Sequence, residues 1–166
     1  MAIKNIIQPH TILIDEYLRL RYPNKVEWEK ALPWYQNLSI LYYSEGVTDK
    51  VYDMDIINRM YEYLSKIGEL YFIEIYEENH WKAIGDATLS EINMPIAIGY
   101  EKYWGKGIGK KVISQLIQRA KEIKLKKICI PAIYRYNKRS QNLFRTMGFV
   151  EVNSNDREKT FELKLN

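Results

Sequence analysis

The 166 residues carry a formal net charge of +4, with 46% hydrophobic and 28% charged side chains. That balance predicts a globular chain with a sizeable core; it falls short of a nucleic-acid-binding composition, and no apolar run approaches the roughly 20 residues of a membrane span. The lone cysteine, Cys129, cannot close an internal disulfide, and Met1 to Asn5 lacks a signal peptide's apolar stretch, so the cytoplasm is the expected compartment.

In chain order, Ile12 to Ile14 and Tyr17 to Arg21 read as extended, alternating segments that Pro23 ends. Glu27 to Leu41 holds Trp28, Leu32, Trp34, Leu38 and Leu41 at mostly helical spacing, interrupted by Pro33. Asp53 is a candidate cap for a helix with Ile56, Ile57, Met60, Tyr61 and Leu64 on one face, ended by Gly68. Leu70 to Tyr76 and Lys82 to Leu89 flank the polar turn Glu77-Glu78-Asn79-His80 and predict a hairpin, with Met94 to Gly99 as a third strand. Ile108, Val112, Ile113, Leu116, Ile117, Ala120 and Ile123 recur at three and four residues and predict the clearest helix. Lys127 to Ile133 reads as a strand and Lys138 to Met147 as a helix. Phe149 to Val152 and Thr160 to Leu165 close the chain as a strand pair. With no linker or repeat, residues 1–166 are expected to form one domain. The architecture is α/β (α+β): a mixed, mostly antiparallel central sheet covered by helices, with a parallel segment at the strand–helix–strand unit.

Gly105, Gly107 and Gly109 lie between a strand and that helix, in Tyr103-Trp104-Gly105-Lys106-Gly107-Ile108-Gly109-Lys110. Glycines there let a ligand approach the backbone, and the unpaired N–H groups of the first turn, with the helix dipole, favour an anion such as a pyrophosphate. A Walker loop would need wider glycine spacing and Lys followed by Ser or Thr, whereas Lys110 precedes Lys111. A dinucleotide fingerprint would read G-x-G-x-x-G near the start of a βαβ unit, not G-x-G-x-G late in the chain. A ligand-free glycine turn is the remaining alternative for the loop taken alone.

The segment resembles the acetyl-CoA pyrophosphate loop of the GNAT N-acetyltransferase superfamily, Q/R-x-x-G-x-G/A, with Trp104 in place of the usual Gln or Arg. Downstream, Asn137-x-x-Ser140-x-x-Leu143-Phe144-x-x-x-Gly148-Phe149 resembles the family's N-x-x-A/S-x-x-L-Y-x-x-x-G-F motif. A Trp within Tyr-Trp-Gly-Lys-Gly is similar to the branch of ribosomal-protein N-terminal and polyamine acetyltransferases. Aminoglycoside 6′-N-acetyltransferases are similar around Ile98-Gly99 and Tyr103-Trp104. The resemblance implies acetyl-CoA as cofactor, its pyrophosphate on Trp104, Gly105, Lys106, Gly107, Ile108, Gly109 and Lys110. It also implies a splay between the strand before the loop and the strand after the helix, where a pantetheine arm pairs with the backbone of Ile98, Gly99 and Tyr100, and a backbone N–H that stabilises the oxyanion. Asn137, Ser140 and Phe144 would line the far side.

Acetyl transfer to an amine requires a deprotonated nucleophile, its placement at the thioester, a held oxyanion and a neutralised thiolate. The motif tyrosine that usually serves the thiolate is Phe144 here, which has no proton to give. Tyr134 and Tyr136 are the nearest hydroxyls in sequence, Tyr134 being the candidate acid, although both also suit a core or a surface. The family's usual acidic positions hold Ala132 and Pro95, which weighs against the aminoglycoside reading. The acids left near the expected cleft are Glu45, Glu74, Asp86 and Glu101. Asp86 and Glu74 sit among apolar strand residues and are the candidate catalytic carboxylates; the plainer reading puts each on a solvent face. Trp34, Tyr42, Tyr43 and Glu45 are the candidate acceptor-binding residues, suited to a cationic amine, and equally readable as core aromatics. His10 and His80 read as exposed, Cys129 as core, and no metal-ligand spacing is present, so no metal is expected.

The expected function is acetyl-CoA-dependent N-acetyl transfer to a primary amine by direct attack. The acceptor is a small-molecule amine or a protein N-terminus, and the chain is a monomer or homodimer with no nucleic-acid or membrane partner. The alternative is a CoA-binding module or sensor without transferase activity, motivated by Phe144 and Ala132. Nucleic-acid binding through the basic helix is a weaker third reading, since its lysines fit a solvated face.

Overall fold

The computed structural model describes residues 3–166. The two segments read as extended are separate strands, β1 (Thr11–Asp15) and β2 (Leu18–Arg21), and they form an antiparallel pair. The stretch read as one interrupted helix is three pieces: a 3-10 helix over Lys25–Ala31, then α1 (Leu32–Tyr35) and α2 (Leu38–Glu45). Pro33 lies in the first turn of α1, where its missing N–H has no helical bond to lose. Asn37 opens α2 by accepting the Ser39 N–H at 2.9 Å, and Gly46 closes it in the left-handed conformation. Asp53 caps α3 (Met54–Ile67) by accepting the Ile56 N–H at 2.9 Å, as its sequence suggests.

Strands β3 (Glu69–Glu77) and β4 (His80–Leu89) make the expected hairpin. Its two turn residues, Glu78 and Asn79, have φ of 53° and 64°, the backbone twist that a two-residue hairpin turn requires. A short strand β5 (Ile96–Ile98) pairs with β4 and leads through a 3-10 turn, Glu101–Tyr103, to α4 (Ile108–Glu122). Then come β6 (Lys127–Tyr134), α5 (Lys138–Thr146), β7 (Val150–Ser154) and β8 (Glu158–Lys164). The strands order as β1-β2-β3-β4-β5 in one sheet and β6-β8-β7 in another.

The run Leu70-Tyr71-Phe72-Ile73 in β3 is apolar without alternation because both faces of the strand are covered. Leu70 and Phe72 pack with Trp28, Trp34, Ile57 and Tyr61 on the side of the N-terminal helices. Tyr71 and Ile73 join the core that holds Val112, Ile113 and Leu116 of α4. The sequence order suggested a parallel join between β5 and β6. Among the described residues every ladder is antiparallel, and between the two strands a single backbone bond, Met94 N–H to Cys129 O at 2.9 Å, spans the junction. Pro131 has no N–H to offer a neighbouring strand, and the register of β6 shifts between Ile130 and Ile133. The sheets part there, and the gap becomes the cleft. No helix of the described residues is long and apolar enough to cross a membrane.

Candidate active site

The cleft has a volume of about 550 Å³ and runs between β5 and β6, from the start of α4 to the helices of the N-terminal third. Strand periodicity decides which backbone groups face it. Pro95 O accepts the Thr88 N–H at 3.1 Å and the Gly99 N–H donates to Ile84 O at 2.6 Å, so these residues point toward β4. Residues Ile96 and Ile98, one step out of phase, point toward β6. The Ile98 carbonyl accepts the Trp104 indole N–H at 2.9 Å. The Ile96 amide and carbonyl and the Ile98 N–H are left directed into the gap. Of the expected Ile98, Gly99 and Tyr100, only Ile98 lines the cleft, and the Gly99 N–H is already spent inside the sheet.

Gly105 and Gly107 adopt φ of 72° and 81°, a region that costs an L side chain ~1–2 kcal/mol. A Cβ at either position would meet nothing within 4 Å, so open space lies over the loop. Gly107 caps α4, and the first helical bond runs from the Lys111 N–H to Gly107 O at 3.2 Å. The N–H groups of Ile108, Gly109 and Lys110 therefore have no helical acceptor and open onto the cleft, where an anion fits. Lys110 lines it as well, while Lys106 is exposed outside it. Across the groove Asn137 caps α5 by accepting the Ser140 N–H at 3.1 Å. Arg139 lies 4.3 Å over the Trp104 ring, and Phe144 is buried edge-on against Phe149.

Tyr35, Ile40, Met60, Tyr63 and Leu64 wall the other end, together with Glu45 and Asp86. Asp86 is 2% exposed, and its Oδ2 accepts the Tyr35 hydroxyl at 2.6 Å and the Tyr61 hydroxyl at 2.7 Å. Burial pushes its carboxyl up to about 6 against the pull of those two donors. Glu45 is pushed up to about 7, first by burial and then by the charge of Asp86, with the Tyr52 hydroxyl opposing. Tyr134 also lines the cleft; its hydroxyl donates to Glu45 O at 3.0 Å and is held protonated by burial and by the Glu45 charge.

Several candidates lie elsewhere. Glu74 accepts from Arg19 Nε at 2.7 Å and Arg21 Nε at 2.9 Å in a buried ion network and does not line the cleft. Trp34 is a core residue 5.2 Å from Phe72, and its ring fills the space that a Cβ on Gly99 would need. Tyr42 stacks on Tyr136 at 4.1 Å beside the cleft, and Tyr100 lies under Lys82 at 4.8 Å. Tyr43, Trp104, Gly105, Gly107, Ile108, Gly109, Lys110, Asn137, Ser140 and Phe144 all line the cleft. The sequence reading missed Tyr61 and Tyr52, whose hydroxyls act with that of Tyr35 on the two carboxylates, and Arg139. Among the described residues no group of three or more His, Cys, Asp or Glu could hold a metal ion.

The comparison with curated proteins finds no match. Solved structures share the fold. A domain from Methanocaldococcus jannaschii superposes with a TM-score of 0.78 at 22% identity, covering 91% of this chain and 100% of that one. A spermidine N-acetyltransferase from Vibrio cholerae, in complex with CoA and spermine, gives 0.70 at 19% identity, covering 90% and 96%. A microcin self-immunity acetyltransferase in complex with acetyl-CoA and AMP gives 0.70 at 18%, covering 95% and 98%. The model of the acetyltransferase (GNAT) family matches residues 34–149, from α1 through the glycine loop to Phe149. With well over half of its length matched, the chain belongs to the GNAT acetyltransferase family.

Proposed function

We propose that the protein transfers an acetyl group from acetyl-CoA to a primary amine, with Glu45 as general base and Tyr134 as proton donor. The observation that carries this reading is one continuous cleft with an anion cradle at one end and a carboxylate of raised pKa at the other. The cradle fits the cofactor: unpaired N–H groups of Ile108, Gly109 and Lys110 face open space above Gly105 and Gly107, a place for a diphosphate.

Acetyl-CoA supplies an activated acetyl thioester. The Ile96 backbone and the Ile98 N–H offer a strand edge to the pantetheine amides, and an amide of this edge also suits a developing oxyanion. Glu45 takes a proton from the acceptor's ammonium, and the amine then attacks the acyl carbon. A base poised near 7 matches a reaction run near neutrality. Tyr134, protonated and within the cleft, turns its hydroxyl from Glu45 O to give its proton to the departing thiolate in the place of the hydroxyl that Phe144 lacks, and it is reprotonated by the proton that the new amide nitrogen sheds. Asp86 stays buried between Tyr35 and Tyr61 and acts on the reaction through its charge.

The binding-only alternative rests on Phe144 and Ala132, which carry no titratable group. Glu45 and Tyr134 supply those groups from other positions, so the transferase reading is favoured. Thermal-shift titration tests the cofactor half: acetyl-CoA and CoA are expected to raise the melting temperature with concentration, and no shift from either would refute it.

A further inference from the structure

The transferase reading leaves the acceptor open between small molecules and polypeptides, and the acceptor end of the cleft narrows the choice. Its carboxylates have no ionic partner: among the described residues neither Glu45 nor Asp86 forms a salt bridge. Among the described residues the only basic side chains lining the cleft are Lys110 and Arg139, and both belong to the cofactor end, Lys110 in the first turn of α4 and Arg139 over Trp104. A carboxylate on the acceptor would thus sit against two acids with no cation to answer it, a like-charge arrangement that disfavours binding. An ammonium meets the opposite situation, two acids and the rings of Tyr35 and Tyr63. Ile40, Met60 and Leu64 give the rest of the wall an aliphatic lining.

One side of this chamber is also closed. The last carbonyls of α2 have no helical donor, and three of them are capped from the other wall. Tyr134 donates to Glu45 O at 3.0 Å, Asn137 Nδ2 to Tyr43 O at 3.4 Å, and the Tyr136 hydroxyl to Tyr42 O. Tyr136 stacks on Tyr42 at 4.1 Å, and the Tyr134 ring occupies the space that a Cβ on Gly46 would need. The end of β6 and the cap of α5 are fastened to the end of α2, where an extended polypeptide would require an open trough.

We propose that the acceptor is a small aliphatic amine without a carboxylate, such as a linear diamine, bound as its ammonium in the chamber lined by Glu45 and Asp86; amino acids and polypeptide N-termini are excluded. Rates of thiol release from acetyl-CoA with 1,5-diaminopentane, lysine and trialanine test this. Lysine has the diamine's skeleton plus one carboxylate, so the pair isolates the charge. The diamine is expected to exceed lysine in kcat/KM by on the order of 100-fold, with trialanine not transferred. Glu45→Gln is expected to raise the KM for the diamine and leave the thermal shift by CoA unchanged. Lysine or trialanine used as well as the diamine, or no transfer to the diamine, would overturn the inference. The CoA thermal shift, run beside the rates, separates this from failure of the cofactor assignment, which would abolish the shift itself.

Discussion

In the proposed reaction Glu45 and Asp86 divide one task between two carboxylates. Asp86 is buried and keeps its charge through two tyrosine hydroxyls; Glu45 borders the cleft, and burial first and then that charge raise its pKa. The kcat/KM for acetyl transfer is expected to rise as pH increases through about 7, the value to which Glu45 is pushed. Glu45→Gln should remove this limb and lower kcat by roughly 10²–10⁴-fold. Asp86→Asn removes the neighbouring anion, so the limb should move to lower pH; a pH–rate profile unchanged by both substitutions would rule out the pair. At this scale the sequence was half legible. Asp86 and Glu74 looked alike, each a carboxylate among apolar strand residues. Their partners decide between them and are distant in the chain: Tyr35 is 51 residues from Asp86, and Arg19 is 55 from Glu74. Guanidinium partners make Glu74 part of the framework, whereas hydroxyl partners leave Asp86 charged inside the cleft.

At the scale of elements, the glycine loop and α4 form the cradle. Gly107→Val forces a β-branched side chain into φ of 81°, at ~1–2 kcal/mol or more, and turns the N–H groups of the first turn away from the ligand. CoA affinity by calorimetry should fall at least about tenfold, while circular dichroism stays native because the added Cβ meets only open space. Gly99→Ala should behave in the opposite way. Its Cβ would come within 2.1 Å of Trp34, so the expected loss is in folding yield and melting temperature. The loop and α4 were readable because glycine spacing and apolar periodicity are local signals. The gap between β5 and β6 followed only from the family resemblance, which implies a splay there; it was not read from the residues, although Pro131, one of its causes, stands plainly in the sequence. The N-terminal helices were blurred for a related reason: Pro33 and Asn37 divide the stretch into pieces too short to show a period.

Across the whole molecule, two cores share β3, and the site lies where they meet the parted sheets. Phe72 is fully buried against Trp34 and Tyr61, and Phe72→Ala should lower stability by ~3–5 kcal/mol in denaturant titration. The site itself opposes the fold. Glu45 and Asp86 hold their protons more tightly folded than unfolded, so stability falls as pH rises from about 4 to about 7. Glu27 has the reverse sign: Arg21 holds it at about 2, a contribution present above the ordinary carboxyl range and lost as pH falls through 2. The variant Glu45→Gln/Asp86→Asn is therefore expected to flatten the decline in melting temperature between about pH 4 and 7, and an equal slope in both proteins would contradict it. The most direct measurement of the central claim is amine-dependent release of thiol from acetyl-CoA at neutral pH. The expected result is release that requires a primary amine and falls at least about 100-fold in Glu45→Gln; cofactor binding with no amine-dependent release would contradict transferase activity and leave a CoA-binding module in its place.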